Sequence, residues 1–125
     1  MPTSPNELVQ QFLLPSTATL TSVLRKYGLS NTYMHQVSPL RPGTKMAGPA
    51  FTLRYIPARE DLSAGEVDNL RDAQRVAIEQ VGPGQVFVID ARGDTRAGTM
   101  GAILATRLPQ RGAAGIVTDG AYRDS

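Results

Sequence analysis

Gln85-Val86-Phe87-Val88-Ile89-Asp90 is a nearly continuous apolar run. Without alternation, it reads as a β-strand buried on both faces. A Gly- and Asp-containing loop, Ala91 to Gly98, follows and leads into a helix predicted from about Thr99 to Leu108, with Pro109 and Gly112 breaking it. Ala114-Gly115-Ile116-Val117-Thr118 is then a second short buried strand. Strand, loop, helix and strand in this order make a βαβ unit, with a parallel sheet and a right-handed crossover. The fold class is therefore α/β.

Upstream, the spacing predicts a helix over Val67 to Val81, with Val67, Leu70, Ala77, Ile78 and Val81 on one stripe, ended by Gly82-Pro83-Gly84. Before it, Lys45 to Ile56 carries Phe51, Leu53 and Tyr55 in alternation with Thr52 and Arg54, the period of a strand. Two helices come first. Ser4 caps one, with Pro5 at its first position and Pro15 beyond its end near Leu14. Ser16 caps the other, which Gly28 stops. Ser30 to Gly43 is polar, is broken by Pro39 and Pro42, and reads as loop. The domain then comprises helices in 1–29 and a core in 30–125. Since the chain ends at Ser125, just after a central-looking strand, that core is expected to be incomplete at its C-terminus.

Composition removes several chemistries. There is no Cys and the single histidine is His35, which excludes thiolate nucleophiles and multi-histidine metal sites. His35 lies in a polar loop and reads as a surface residue. No apolar run approaches a bilayer span, and Met1-Pro2-Thr3-Ser4-Pro5 lacks the layout of a secretory signal, so a reducing, cytoplasmic setting is expected. Eleven of the 13 cations are arginine. Without a basic run or stacking aromatics this does not suggest a nucleic-acid surface, but it does mark arginine at any anion site. Gly93 and Gly98 have Walker-type spacing, yet Thr99 stands where the phosphate-binding lysine belongs. Glu60, Asp61, Glu66, Asp68 and Asp72 are interleaved with Arg71 and Arg75 and read as a solvated, ion-paired face. Met34, Met46 and Met100 are scattered and form no stripe.

Ligands of open α/β sheets bind where strand C-termini meet helix N-termini. Two such points are neighbours here: the loop and helix start within Gly93–Leu104, and Asp119-Gly120-Ala121-Tyr122-Arg123-Asp124. Together they offer backbone donors, a guanidinium fork and a carboxylate. Gly-rich turns and adjacent Arg-Asp pairs are also common surface features, and spacing alone leaves both readings open.

Gly101-Ala102-Ile103-Leu104-Ala105, Arg111 through Gly120, and Arg123-Asp124 resemble the core of the regulator-of-ribonuclease-activity (RraA-like) family, which also contains 4-hydroxy-4-methyl-2-oxoglutarate aldolases. Ser16-Thr17-Ala18-Thr19-Leu20, Gly48 to Arg54 and Pro83-Gly84-Gln85-Val86 fit as well. The resemblance implies a swivelling β/β/α-type domain, assembled as a homotrimer or homohexamer. It implies a class II (metal-dependent) pyruvate aldolase and oxaloacetate decarboxylase. The backbone of Gly101, Ala102, Ile103 and Leu104 would bind the substrate carboxylate. Arg123 would bind the keto oxygen and be catalytic, and Asp124 would ligate Mg²⁺ or Mn²⁺. Many relatives carry an acidic residue where this chain has Ala102, and relatives continue beyond Ser125. The chemistry of the residues agrees: an enolate needs positive charge at the keto oxygen. A Schiff-base route would need a buried lysine, which neither Lys26 at a helix end nor Lys45 at a strand start supplies. The alternative from the same resemblance is a non-catalytic regulator that docks on a ribonuclease.

Overall fold

The computed structural model describes residues 4–56, 72–96 and 98–123. The chain divides into two compact units, Met1–Ala47 and Gly48–Ser125.

In the first unit, α1 (Pro5–Leu13) starts in a complete capping box: the Ser4 hydroxyl accepts from the Glu7 amide, and the Glu7 carboxylate accepts from the Ser4 amide. α2 (Thr17–Lys26) begins at Ser16, whose hydroxyl accepts from the Thr19 amide. It ends with Gly28 at φ +82, where Gly28 N–H donates to Arg25 and Leu29 N–H to Leu24. These paired bonds satisfy the last carbonyls in a left-handed turn that glycine adopts without penalty. Lys45 lies outside any strand, and its ammonium reaches the Leu13 carbonyl at 3.4 Å. The expected strand start is thus corrected to Ala50. His35 is exposed, edge-on to Tyr33.

The second unit is α/β with parallel strands. β1 (Ala50–Arg54), β2 (Val86–Asp90) and β4 (Gly115–Thr118) form one sheet in the order β1-β2-β4. Phe51, Phe87 and Ile116 are in register, as are Leu53, Ile89 and Thr118. β2 is the centre of this sheet, and β4 is an edge among the described residues. Phe87 and Ile89 are fully buried against Ala77, Ile78 and Val81 of the α3 region (helix Ala73–Gln80) and Leu108 of α4 (Ala102–Gln110). Val88, on the opposite face of β2, is only partly covered.

Several expectations change. The described part of the 67–81 helix starts at Ala73, because Asp72 is extended and its carboxylate caps the Arg75 amide. Asp72 is thus a helix cap, while Glu66, Val67, Asp68, Leu70, Arg71 and the loop Arg59-Glu60-Asp61 lie outside the described residues. The helix expected from Thr99 starts at Ala102, since Gly98–Met100 is a short strand, β3. β3 pairs in parallel with β5 (Ala121–Tyr122), forming a second sheet. Pro109 sits inside α4 and does not end it. Termination comes from Gly112 at φ +81, with Gly112 N–H on Pro109 and Ala113 N–H on Leu108. Met100, which looked incidental, is a core residue at 2% exposure.

The two sheets meet at Thr99, the one buried polar residue among those described. Its hydroxyl donates to the Ala121 carbonyl at 3.0 Å, and its carbonyl accepts from Tyr55 Oη at 3.3 Å and from Gln74 Nε2. Gly120 permits this approach: a Cβ there would lie 2.6 Å from Thr99 Cγ2 and 2.7 Å from Ala91 Cβ. Burial, reinforced by the Asp72 charge, pushes the Tyr55 phenol from 10.0 to about 12. Between those values the unfolded chain has shed a proton that the folded chain keeps. The phenol's contribution to stability is therefore complete below pH 10 and lost as pH rises toward 12. Tyr55→Phe is expected to cost about 1 kcal/mol at neutral pH, because Gln74 still serves the carbonyl. It should also flatten the alkaline fall in stability. Urea midpoints at neutral and alkaline pH check both effects, and identical alkaline profiles for the two proteins would contradict the assignment.

Candidate functional site

The site candidate lies where β2, β3, β4 and β5 end, and it is built by two turns. The first follows β2. Asp119 reaches across from the end of β4, and its two carboxylate oxygens accept from the Ala91 amide at 2.7 Å and the Gly93 amide at 2.8 Å. Asp90 Oδ1 accepts from the amide between them, that of Arg92, at 2.9 Å. Arg92 and Gly93 are both left-handed, at φ +58 and +71. Successive amides in such a turn form a concavity suited to an anion, and here the chain's own carboxylates fill it.

The second turn joins β3 to α4. Gly101 is the N-cap, extended at φ −107 and ψ 168, and has no side chain to cap the helix. The first intrahelical bond is Ala105 N–H to Gly101 O at 3.0 Å, so the amides of Ala102, Ile103 and Leu104 have no acceptor within the helix. α1, α2 and α3 each have a side-chain cap, from Ser4, Ser16 and Asp72 respectively. Gly101 is buried, Ala102 is exposed, Ile103 is 88% exposed, and Leu104 packs against the core.

Arg123 joins this second turn through its backbone. Its amide donates to the Met100 carbonyl at 3.0 Å, continuing the β3–β5 ladder to the residue before the helix cap. Its Cβ would be 3.0 Å from a Cβ placed on Gly98, so glycine at 98 allows this closeness. Residue 123 is thus bonded through its backbone to the residue before Gly101, and its side chain is exposed. Asp124 lies outside the described residues.

Two ion pairs lie on this rim. Arg54 Nε donates to Asp90 Oδ2 at 2.9 Å. Asp90 is lowered chiefly by the Arg92 amide and further by the Arg54 guanidinium. Arg96 forks onto Asp94 at 2.7 and 3.0 Å and lowers it to about 2. Asp90, Asp94 and Asp119 therefore already accept from nitrogen donors. Among the described residues no three of His, Cys, Asp and Glu converge as a metal cage.

Sequence reasoning missed the roles of Asp119 and Thr99. The signal for Asp119 was its place at the head of Asp-Gly-x-x-Arg-Asp. Asp-Gly makes the joint, and Arg comes directly after β5. Asp119→Asn leaves one carbonyl oxygen for two amides and turns an NH₂ toward a donor. It is expected to cost about 1.5–3 kcal/mol, the scale of hydrogen bonds to a charged group. Amide exchange should rise selectively at Ala91 and Gly93. Unchanged exchange there would show that the clasp does not hold the turn.

Comparison with known proteins gives this geometry a context. A Halalkalibacterium halodurans protein named "Putative 4-hydroxy-4-methyl-2-oxoglutarate aldolase" is 32% identical over 118 residues, covering 94% of this chain and 50% of that protein. Streptomyces coelicolor RraAS2, described as an unusual member of the RNase ES inhibitor RraA protein family, superposes with a TM-score of 0.84 at 35% identity. That match covers 99% of this chain and 58% of the other. The RNA-processing inhibitor RraA from Thermus thermophilis gives 0.62 at 26% identity, over 88% of this chain and 58% of its own. The chain spans about half the length of the curated relatives it matches. No helix among the described residues is long and apolar enough to cross a membrane. Residues 17–125 match the family described as RraA-like, Aldolase/RraA, and the chain belongs to that family.

Proposed function

We propose that the protein is a divalent-metal-dependent lyase, cleaving a 2-oxo acid of the 4-hydroxy-4-methyl-2-oxoglutarate type or decarboxylating oxaloacetate. The observation that supports this reading is the 3.0 Å bond from the Arg123 amide to Met100, one residue before a helix cap whose next three amides have no intrahelical acceptor. The amides of Ala102, Ile103 and Leu104 would take the substrate carboxylate, where the helix dipole favours negative charge. The Arg123 guanidinium would face the keto oxygen. As the C3–C4 bond breaks, its electrons pass into the C2 carbonyl, and positive charge fixed at that oxygen lowers the barrier.

The donor chemistry fits a hard cation. Magnesium is usually held by one or two carboxylates, with water and substrate completing the shell. The rim carboxylates that are described are engaged by nitrogen donors, and on the family resemblance Asp124 is the residue that would hold Mg²⁺ or Mn²⁺. Such an ion would supply Lewis-acid charge at the keto oxygen. The substrate-binding half of such a site lies within Gly48–Ser125. A cytoplasmic homotrimer or homohexamer belongs to the same reading.

A second reading is a non-catalytic regulator that binds a ribonuclease. The likeness to RraAS2 favours it, as does Ala102, which places no acid at the helix start.

Pyruvate release from oxaloacetate with Mg²⁺ separates the two. Arg123→Ala is expected to lower kcat/KM by about two orders of magnitude or more, the loss seen for an oxyanion donor. EDTA should abolish release. Asp124→Ala should stay inactive when Mg²⁺ is restored. Release that EDTA leaves untouched, or near-parental turnover in either variant, would contradict the lyase reading.

A further inference from the structure

We infer that Arg92 reads the distal carboxylate of a dicarboxylic 2-oxo acid, a specificity role that rests on the proposed site at 101–104 and 123. The argument starts from backbone conformation. Arg92 adopts φ +58, a left-handed position that an L side chain occupies at a conformational cost and glycine does not. Gly93 beside it, at φ +71, uses glycine. Such outliers persist where surrounding contacts over-determine them, and they cluster at binding sites. Here all three amides of the turn are bound to carboxylates, 91 and 93 to Asp119 and 92 to Asp90. The turn's amides are therefore spent on holding it, and what it presents to solvent is the arginine.

The charges around it point the same way. Arg54 and Arg96 on this rim are bound to Asp90 and Asp94. The Arg92 guanidinium has no hydrogen-bond or ion-pair partner among the described residues, although its charge is felt by Asp90. A planar guanidinium suits bidentate capture of a carboxylate. The position suits it too. A Cβ on Gly120 would lie 2.7 Å from Ala91 Cβ, so the residue before Arg92 packs against the start of β5. Arg123 follows three residues later, at most about 10 Å of extended chain. On this placement Arg123 would serve the keto-acid head and Arg92 the tail.

The test compares two five-carbon acids that retro-aldol cleavage and β-decarboxylation cannot consume. They are 2-oxoglutarate and 2-oxopentanoate, which differ in the distal carboxylate. Titration calorimetry in Mg²⁺ is expected to show 2-oxoglutarate bound about 10- to 100-fold more tightly, the range spanned by a hydrogen bond between charged groups. Arg92→Ala and Arg92→Gly should erase that preference while leaving 2-oxopentanoate binding unchanged, and Arg92→Lys should restore part of it. Arg92→Gly should also raise the thermal midpoint, which separates lost recognition from lost folding. A preference that survives in either the alanine or glycine variant overturns the inference. So does a parent protein that binds both acids equally, or neither. Preference without pyruvate release from a 4-hydroxy-2-oxo diacid would retain the role of Arg92 and reject the lyase chemistry.

Discussion

One buried threonine sets where everything else in the second unit can go. Thr99 donates to the Ala121 carbonyl and accepts from Tyr55 and Gln74, so it touches β5, the residue after β1 and the helix α3 together. A hydroxyl and a carbonyl in the interior must both find partners, or folding loses their hydration with nothing in return. That requirement makes the junction specific. A purely apolar contact between the two small sheets would tolerate sliding, whereas Thr99 permits one register. With β3 and β5 fixed, Met100 can fill the core, and the chain leaves the sheet at Gly101 with its next three amides lacking acceptors within the helix.

The same end of the unit is organised by charge. Asp119 grips the 91–93 turn from 26 to 28 residues away, and Gly120 leaves room for Thr99 and Ala91 to close in. The Asp-Gly pair therefore explains itself by packing and hydrogen bonding, without any ligand. Arg123, directly after the strand those two residues launch, is explained differently: its backbone bonds to Met100, next to the Gly101 helix cap, while its side chain is exposed. Further along α4, Arg107 forks onto Glu79 of α3 at 2.9 and 3.1 Å, and Arg111 reaches the Val81 carbonyl, at the opposite end of the helix from the candidate site.

Much of this was legible from local rules. The apolar run 86–90, the alternation of Phe51, Leu53 and Tyr55, the serine caps and the glycine stops at 28 and 112 each encode structure within a few residues. The failures are non-local or too short to carry a period. Gly98–Met100 is three residues long and Ala121–Tyr122 is two, and both exist because they pair with each other. Pro109 should have broken a helix, but the tertiary contacts of Leu108 and the bonds at Gly112 hold the last turn. Asp72 looked like one acid in a cluster because a cap is recognisable only once the helix start is known. Of the proposed site, Arg123 and the 101–104 amides come from the resemblance. The clasp of Asp119 was not, because its partners lie far away in sequence.

The central claim is that two turns, joined through Thr99, offer one small acid a set of amides and an arginine. The most direct measurement is amide chemical-shift mapping of the protein titrated with pyruvate in Mg²⁺. The expected result is saturable movement of Ala102, Ile103, Leu104 and Arg123 together, with Ala91 and Gly93 still protected by Asp119. Saturable movement elsewhere in the chain, with 102–104 silent, would contradict the claim.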